Sequence, residues 1–225
     1  MRYLGIIFDF NGVLWWDKHL QEKAWIQFAG ELDGRSLCGE AITHQVHGRN
    51  NRDTLTYLTG SAHDERSLQL LSDRKETIYR DLCLAQGADF KLAPGVIELL
   101  DSLVAHEIPR TIATASGKKN LDFFVEHLDL DKWFDIDRIV YDDGLRPGKP
   151  AADIFIQAAR VLDLNPASCV VVEDSLPGIR AAHAAEIGYI IVLGTENQYA
   201  YLINLDGVNQ VVASLVQVPW KHLFL

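Results

Sequence analysis

Apolar residues run almost unbroken from Tyr3 to Phe8, and the chain then turns polar at Asp9-Phe10-Asn11-Gly12. A continuous apolar run of this length suits a strand buried on both faces, as in a parallel sheet. Arg110 to Ala113, Cys169 to Val172 and Tyr189 to Leu193 read the same way, and Ile139 to Tyr141 is a weaker run of the same kind. Helical spacing separates them, at Gly95 to His106, Lys118 to Leu128, Ala151 to Leu162 and Pro177 to Ala185. Strand alternating with helix predicts an α/β fold with a doubly wound, Rossmann-like parallel sheet.

One interval breaks that rhythm. From Trp16 to Lys91 no strand pattern stands out, whereas Ala24 to Phe28 and Leu68 to Leu84 carry apolar residues at helical spacing. A crossover between neighbouring parallel strands needs about one helix, so a stretch several helices long reads as an inserted helical domain. The expected division is a core of residues 1–15 and 92–225 and an insert of residues 16–91. The return to the core falls near Lys91–Gly95, where Pro94 suits the first turn of a helix.

The net charge of −10 over 225 residues repels nucleic acid and anionic lipid, so neither is an expected partner. Cys38, Cys83 and Cys169 are odd in number, widely spaced and without a C-x-x-C, which fits free thiols in a reducing compartment. No apolar segment is long enough to span a bilayer, and Asp9 and Asn11 interrupt the first run too early for a signal peptide. A monomeric cytoplasmic protein is expected. His44 and His47 show no metal spacing.

In an open parallel sheet ligands bind at the carboxyl ends of the strands, so the chemistry is sought in the residues that follow each run. After the first, Asp9 is a carboxylate able to attack phosphorus, and Gly12 permits a sharp turn; an ordinary Asn-Gly turn is the plainer alternative. After the second, Thr114-Ala115-Ser116-Gly117 offers hydroxyls and backbone N–H groups for an anion, or simply caps the helix from Lys118. Lys149, in Gly148-Lys149-Pro150, is a compact positive charge able to hold a phosphate beside a carboxylate; the alternative is a solvated lysine before an N1 proline. After the third, Glu173 and Asp174 are adjacent carboxylates that suit a hard divalent cation, or else favour a helix N-terminus.

Carboxylate, hydroxyl, lysine and carboxylate pair, in that order, resemble the four motifs of the haloacid dehalogenase superfamily. Asp-Phe-x-Gly-Val-Leu, Ala-Thr-Ala-Ser, Gly-Lys-Pro-Ala-x-Asp-Ile-Phe and Val-Glu-Asp-Ser-x-x-Gly-Ile-x-Ala-Ala are most similar to its β-phosphoglucomutase-like phosphatase branch. The resemblance implies a Mg2+-dependent hydrolase acting on a small phosphorylated metabolite. Asp9 would be the nucleophile, Thr114 would bond the transferring phosphoryl group, and Lys149 would offset charge between them. Asp9, the Asn11 carbonyl, Glu173 and Asp174 would hold Mg2+. Gly12, Ser116 and Gly117 would line the substrate site. The insert stands where this branch carries its cap domain, and within it Gly48 to Arg52 resembles the substrate loop, with Arg52 on a second phosphate or a sugar.

Asn11 departs from the pattern, which has an aspartate there as general acid and base. Its amide cannot carry that proton, and loss of such catalysis costs about 10²–10⁴-fold. Five readings follow: a slow phosphatase that favours good leaving groups, a non-catalytic phospho-ligand binder, a dehalogenase- or phosphonatase-type reaction, an asparagine of engineered origin, or an Asn-Gly pair that deamidates to a carboxylate. Trp15-Trp16-Asp17 also departs from the acidic and hydroxyl residues usual there; the indoles either stack on a substrate or pack the hinge.

Overall fold

The computed structural model of the protein describes residues 3–33, 37 and 40–225. The chain divides into two compact units, Met1–Trp16 with Leu92–Leu225 and Asp17–Lys91.

The first unit is built on six parallel strands, β1 Gly5–Phe8, β2 Arg110–Gly117, β3 Val140–Asp142, β4 Cys169–Glu173, β5 Tyr189–Leu193 and β6 Val208–Val212. Their spatial order is β3-β2-β1-β4-β5-β6. Ile6, Ile7, Phe8, Val170, Val171 and Val172 are fully buried, because helices cover both faces of a parallel sheet and its central strands meet no solvent. Each such side chain contributes roughly 1.5–3 kcal/mol relative to exposure. The order reverses between β1 and β4: β2 and β3 lie to one side, β5 and β6 to the other. That reversal opens a crevice beyond the carboxyl ends of these two strands.

The strand runs in the sequence find their places with ends shifted by up to two residues, β4 for example taking in Glu173, and two differences are larger. Strand β2 continues through Thr114 to Gly117 instead of ending at Ala113. The sixth strand has no counterpart in the apolar pattern: Asn209 and Gln210 interrupt it, and as an edge strand with one neighbour it stays partly exposed. Asn209 serves the sheet there, its Oδ1 accepting the Ile190 N–H at 2.7 Å.

The second unit contains α1 Lys18–Asp33, α2 Glu40–Gln45, α3 Asn51–Thr59 and α4 Glu65–Leu84. Trp25, Phe28, Leu55 and Leu58 belong to its own apolar core. Lys75 is buried in it, donating to Gln21 Oε1 (2.7 Å) and Glu76 Oε1 (3.0 Å). Its ammonium lies over the Trp25 ring, 4.8 Å from the centroid. Cys38 and the His44 side chain lie outside the described residues.

The helices of the first unit are α5 Val96–Ala105, α6 Lys118–Leu128, α7 Asp153–Val161, α8 Leu176–Ala184, α9 Glu196–Leu202 and α10 Trp220–Phe224. Pro94 stands just outside α5, because Gly95 is the N-cap residue in a left-handed conformation. No helix among the described residues is long and apolar enough to cross a membrane.

Candidate active site

Asp9 follows β1 directly, its N–H bonded to Val172 O of β4 at 3.0 Å. The next residues form a tight loop. The Phe10 carbonyl accepts the Leu14 N–H at 2.9 Å, and Gly12 N–H donates to Trp15 O at 2.7 Å. Phe10 anchors the loop by stacking on Phe124, ring centroids 4.3 Å apart. Gly12 has φ +83, and a Cβ built there would overlap the Asp174 carboxylate. Glycine is therefore required twice over, for the conformation and for the space. Leu14 O accepts the Ala93 N–H at 2.9 Å, tying together the points where the inserted stretch leaves and rejoins this unit.

Lys149 joins the two sides of the crevice. Its ammonium is 2.7 Å from Asp9 Oδ1 and 2.6 Å from Glu173 Oε1, with 1% of the side chain exposed. Glu173 is itself held by its other oxygen, which accepts from Asp174 N (2.7 Å), Ser175 N (2.8 Å) and Ser175 Oγ (3.0 Å). Ser175 Oγ in turn accepts from Gly178 N at 3.1 Å and caps α8. A Cβ at Gly178 would overlap the Glu173 carboxylate. Thus Glu173 reaches Lys149 only because the first turn of α8 carries a residue, Gly178, that leaves room for it.

Asp9, Glu173 and Asp174 each offer an oxygen within 4.8 Å of the others'. Two of these three carboxylates share the Lys149 ammonium. Burial pushes the Asp9 pKa well up, reinforced by Glu173 and Asp174 and opposed by Lys149. Burial alone would lower the Lys149 pKa, but Asp9 and Glu173 outweigh it and raise it. The surplus negative charge and the hard oxygen donors fit a small divalent cation.

Thr114 and Ser116, on the extended end of β2, converge on Asn11. Ser116 Oγ donates to Asn11 Oδ1 at 2.8 Å, Thr114 Oγ1 is 3.5 Å from the same oxygen, and Ser116 N–H donates to Thr114 Oγ1 at 3.1 Å. Neither hydroxyl caps α6: the N-cap position is Gly117, with no side-chain cap bond. The capping alternative fails because β2 runs on through both residues. The N1-proline alternative for Lys149 fails as well, since α7 starts at Asp153 and Lys149 is buried.

Asp9, Asn11, Gly12, Thr114, Ser116, Gly117, Lys149, Glu173 and Asp174 thus belong to one unit. Arg52 belongs to the other, in α3, where its guanidinium pairs with Glu65 at 2.7 Å on an exposed face. The tryptophan pair is split: Trp15 is buried at 5% exposure and Trp16 is exposed at 42%. Ser175 and Gly178 stand in the last sequence motif without an assigned role, and the structure makes them supports of Glu173, the Ser-x-x-Gly spacing being a cap-and-space signal.

A family model described as haloacid dehalogenase-like hydrolase matches residues 3–186. The chain is 28% identical over 191 residues to 5-amino-6-(5-phospho-D-ribitylamino)uracil phosphatase of Arabidopsis thaliana, covering 84% of the chain but 50% of that protein, so it spans half that relative's length. It is 29% identical over 186 residues to β-phosphoglucomutase of Bacillus subtilis, covering 80% and 79% of the two chains. The crystal structure of a HAD hydrolase, family IA, variant 3 from Entamoeba histolytica superposes with a TM-score of 0.86 at 30% identity, covering 99% and 97%.

Proposed function

Because the chain belongs to the haloacid dehalogenase-like hydrolases, in their β-phosphoglucomutase-like branch, we propose that it cleaves phosphate monoesters of small sugar-like metabolites through Asp9. The observation that carries this reading is the buried Lys149 bridging Asp9 and Glu173 where the strand order reverses. One Asp9 oxygen is held by Lys149; the other attacks phosphorus as the ester oxygen leaves, forming an aspartyl-phosphate. Water then attacks that phosphorus, releasing phosphate and regenerating Asp9. Lys149 holds positive charge beside the transferring group throughout, and the Thr114 hydroxyl would donate to it. Asp9, Asp174, Glu173 and the Asn11 carbonyl would hold Mg2+, which supplies charge neutralisation at the phosphoryl oxygens.

Asn11 brakes this scheme, since an amide neither protonates the departing oxygen nor takes a proton from water. Alkyl esters suffer most, whereas acyl phosphates leave without acid assistance. The ribitylaminouracil phosphatase and the phosphoglucomutase named above both act on phosphorylated small molecules, which supports the substrate class.

The test is phosphate release with Mg2+ across alkyl and acyl phosphates, for the protein, Asn11→Asp and Asp9→Ala. Asn11→Asp should gain about 10²–10⁴-fold on an alkyl ester and much less on acyl phosphates, and Asp9→Ala should be silent. Silence of all three, with phosphate esters still bound, would replace the phosphatase reading with a phospho-ligand binder.

A further inference from the structure

The residue that brakes the proposed reaction is also the first half of an Asn-Gly pair, and the structure constrains both halves. Converting asparagine to aspartate requires the amide nitrogen of the following residue to attack the side-chain carbonyl carbon. Glycine is the most permissive follower because no Cβ screens that nitrogen. In this loop the Gly12 N–H is taken by Trp15 O at 2.7 Å, and the Asn11 backbone pairs with Trp15 as an isolated bridge. The Asn11 side chain is turned to β2, where Ser116 Oγ donates to its Oδ1 at 2.8 Å. Attacker and target are therefore each bonded elsewhere. Phe10, Val13 and Leu14 of the same turn are fully buried, so the Gly12 bond is released only by opening the loop, whereas the side-chain bond between the half-buried Asn11 and Ser116 is the weaker of the two restraints.

We infer that Asn11-Gly12 is a latent deamidation site that the fold holds shut chiefly through two bonds, Gly12 N–H to Trp15 O and Ser116 Oγ–H to Asn11 Oδ1, with the longer Thr114 Oγ1 contact at 3.5 Å beside the second. Opening the loop frees the Gly12 nitrogen to attack Asn11 Cγ. The nitrogen's proton leaves with the expelled ammonia and a succinimide closes. Water then opens the ring, so the net change is ammonia out and water in, with no redox partner. One product, aspartate, keeps the backbone unchanged and accepts the same Ser116 bond. The other, isoaspartate, adds a methylene to the backbone at Asn11 and cannot keep both the bridge and the Gly12 bond. Refolding therefore selects for the aspartate form, which carries a carboxylate where the proposed reaction lacks one. This consequence rests on the function proposed above; the closed site itself does not.

The experiment follows conversion at Asn11 by peptide-mapping mass spectrometry during incubation at mildly alkaline pH and 37 °C. Native protein, Ser116→Ala, Ser116→Thr and urea-unfolded protein are compared, with phosphate release measured on the same samples. The unfolded chain should convert roughly a hundredfold or more faster than the native one, since conversion there needs no local opening. Ser116→Ala should convert about 2- to 12-fold faster than the native protein, the factor expected for one lost hydrogen bond, and Ser116→Thr should stay near the native rate. If Ser116→Ala fails to fold, graded sub-denaturing urea on the unaltered protein replaces it, and conversion should rise with urea before global unfolding. Native conversion as fast as the unfolded rate overturns the inference. Indifference to both Ser116→Ala and sub-denaturing urea overturns it too. Conversion that follows this pattern without any gain in phosphate release upholds the closed site and counts against Asn11 as the brake.

Discussion

Removing the Lys149 charge tests the electrostatic logic of the site most directly. In Lys149→Met the stem keeps nearly the same length, so no large cavity opens, and the thioether falls near the Phe155 ring that the ammonium now faces at 5.1 Å. What changes is charge. Asp9 and Glu173, 8% and 0% exposed in their side chains, lose the cation that touches both, and Asp174 stays close by. Breaking a buried pair by deleting one partner costs about 3–5 kcal/mol, because the remaining charge is left uncompensated. For a chain of this size each kcal/mol is worth about 2–4 °C, so the melting temperature should fall by about 6–20 °C in a metal-free buffer. The decisive variant is the double, Lys149→Met with Glu173→Gln. The amide keeps an oxygen for the Asp174 and Ser175 donors, and its NH2 then faces Met and Asp9 instead of an ammonium. The double variant should melt above Lys149→Met alone, a coupling of about 0.5–3 kcal/mol. Thermal denaturation followed by circular dichroism reads both. A fall under about 2 °C for the single variant, or a double variant that melts at the sum of the two single losses, would refute the account.

Further outcomes follow from other contacts. Gly178→Ala should cost about 1–3 kcal/mol by pressing on the buried Glu173 and should lower phosphate release. Gly30→Ala, in α1 with nothing within 4 Å of the added carbon, should instead stabilise by about 0.5–1 kcal/mol; melts of the two check the contrast. Burial, then the Asp17 carboxylate that accepts its hydroxyl at 2.6 Å, raises the Tyr79 pKa well above its ordinary value of 10.0. The stability it contributes is therefore full below pH 10 and lost as pH rises through the raised value. Tyrosinate absorbance from Tyr79 should thus appear only with alkaline unfolding, and a difference titration against Tyr79→Phe that shows it earlier in folded protein would contradict this. Burial pushes the Cys169 thiol from 9.0 up to about 11, leaving about 10⁻³ of it as thiolate at pH 8. Iodoacetamide should label Cys169 at pH 8 only at the rate the protein unfolds, and rapid labelling in the native state would show that burial to be wrong.

Element types and the candidate chemistry were legible in the chain because both are written locally. Backbone bonding and burial impose period 2, period 3.6 or an unbroken apolar run, and a residue that follows a buried run in an alternating α/β chain lies in the carboxyl-terminal part of its strand or just beyond it. Asp9, Thr114 and the Glu173-Asp174 pair follow such runs, Lys149 stands before a helical pattern, and the stretch from Trp16 to Lys91 reads as a helical insertion from its spacing. The edge strand at Val208 was not, because an exposed margin exerts no apolar demand. What only the tertiary structure decided is adjacency. Lys149 touches residues 140 and 24 positions away in sequence, and nothing local dictates that. The strand order sets β1 beside β4, and the space above Gly178 lets Glu173 turn toward the lysine. Extending β2 by a few residues took Thr114 and Ser116 from the helix cap to Asn11. Of two neighbouring tryptophans one went inside and one stayed out. Each of these outcomes depends on which surfaces meet across the crevice, a global property of packing that no window of sequence contains.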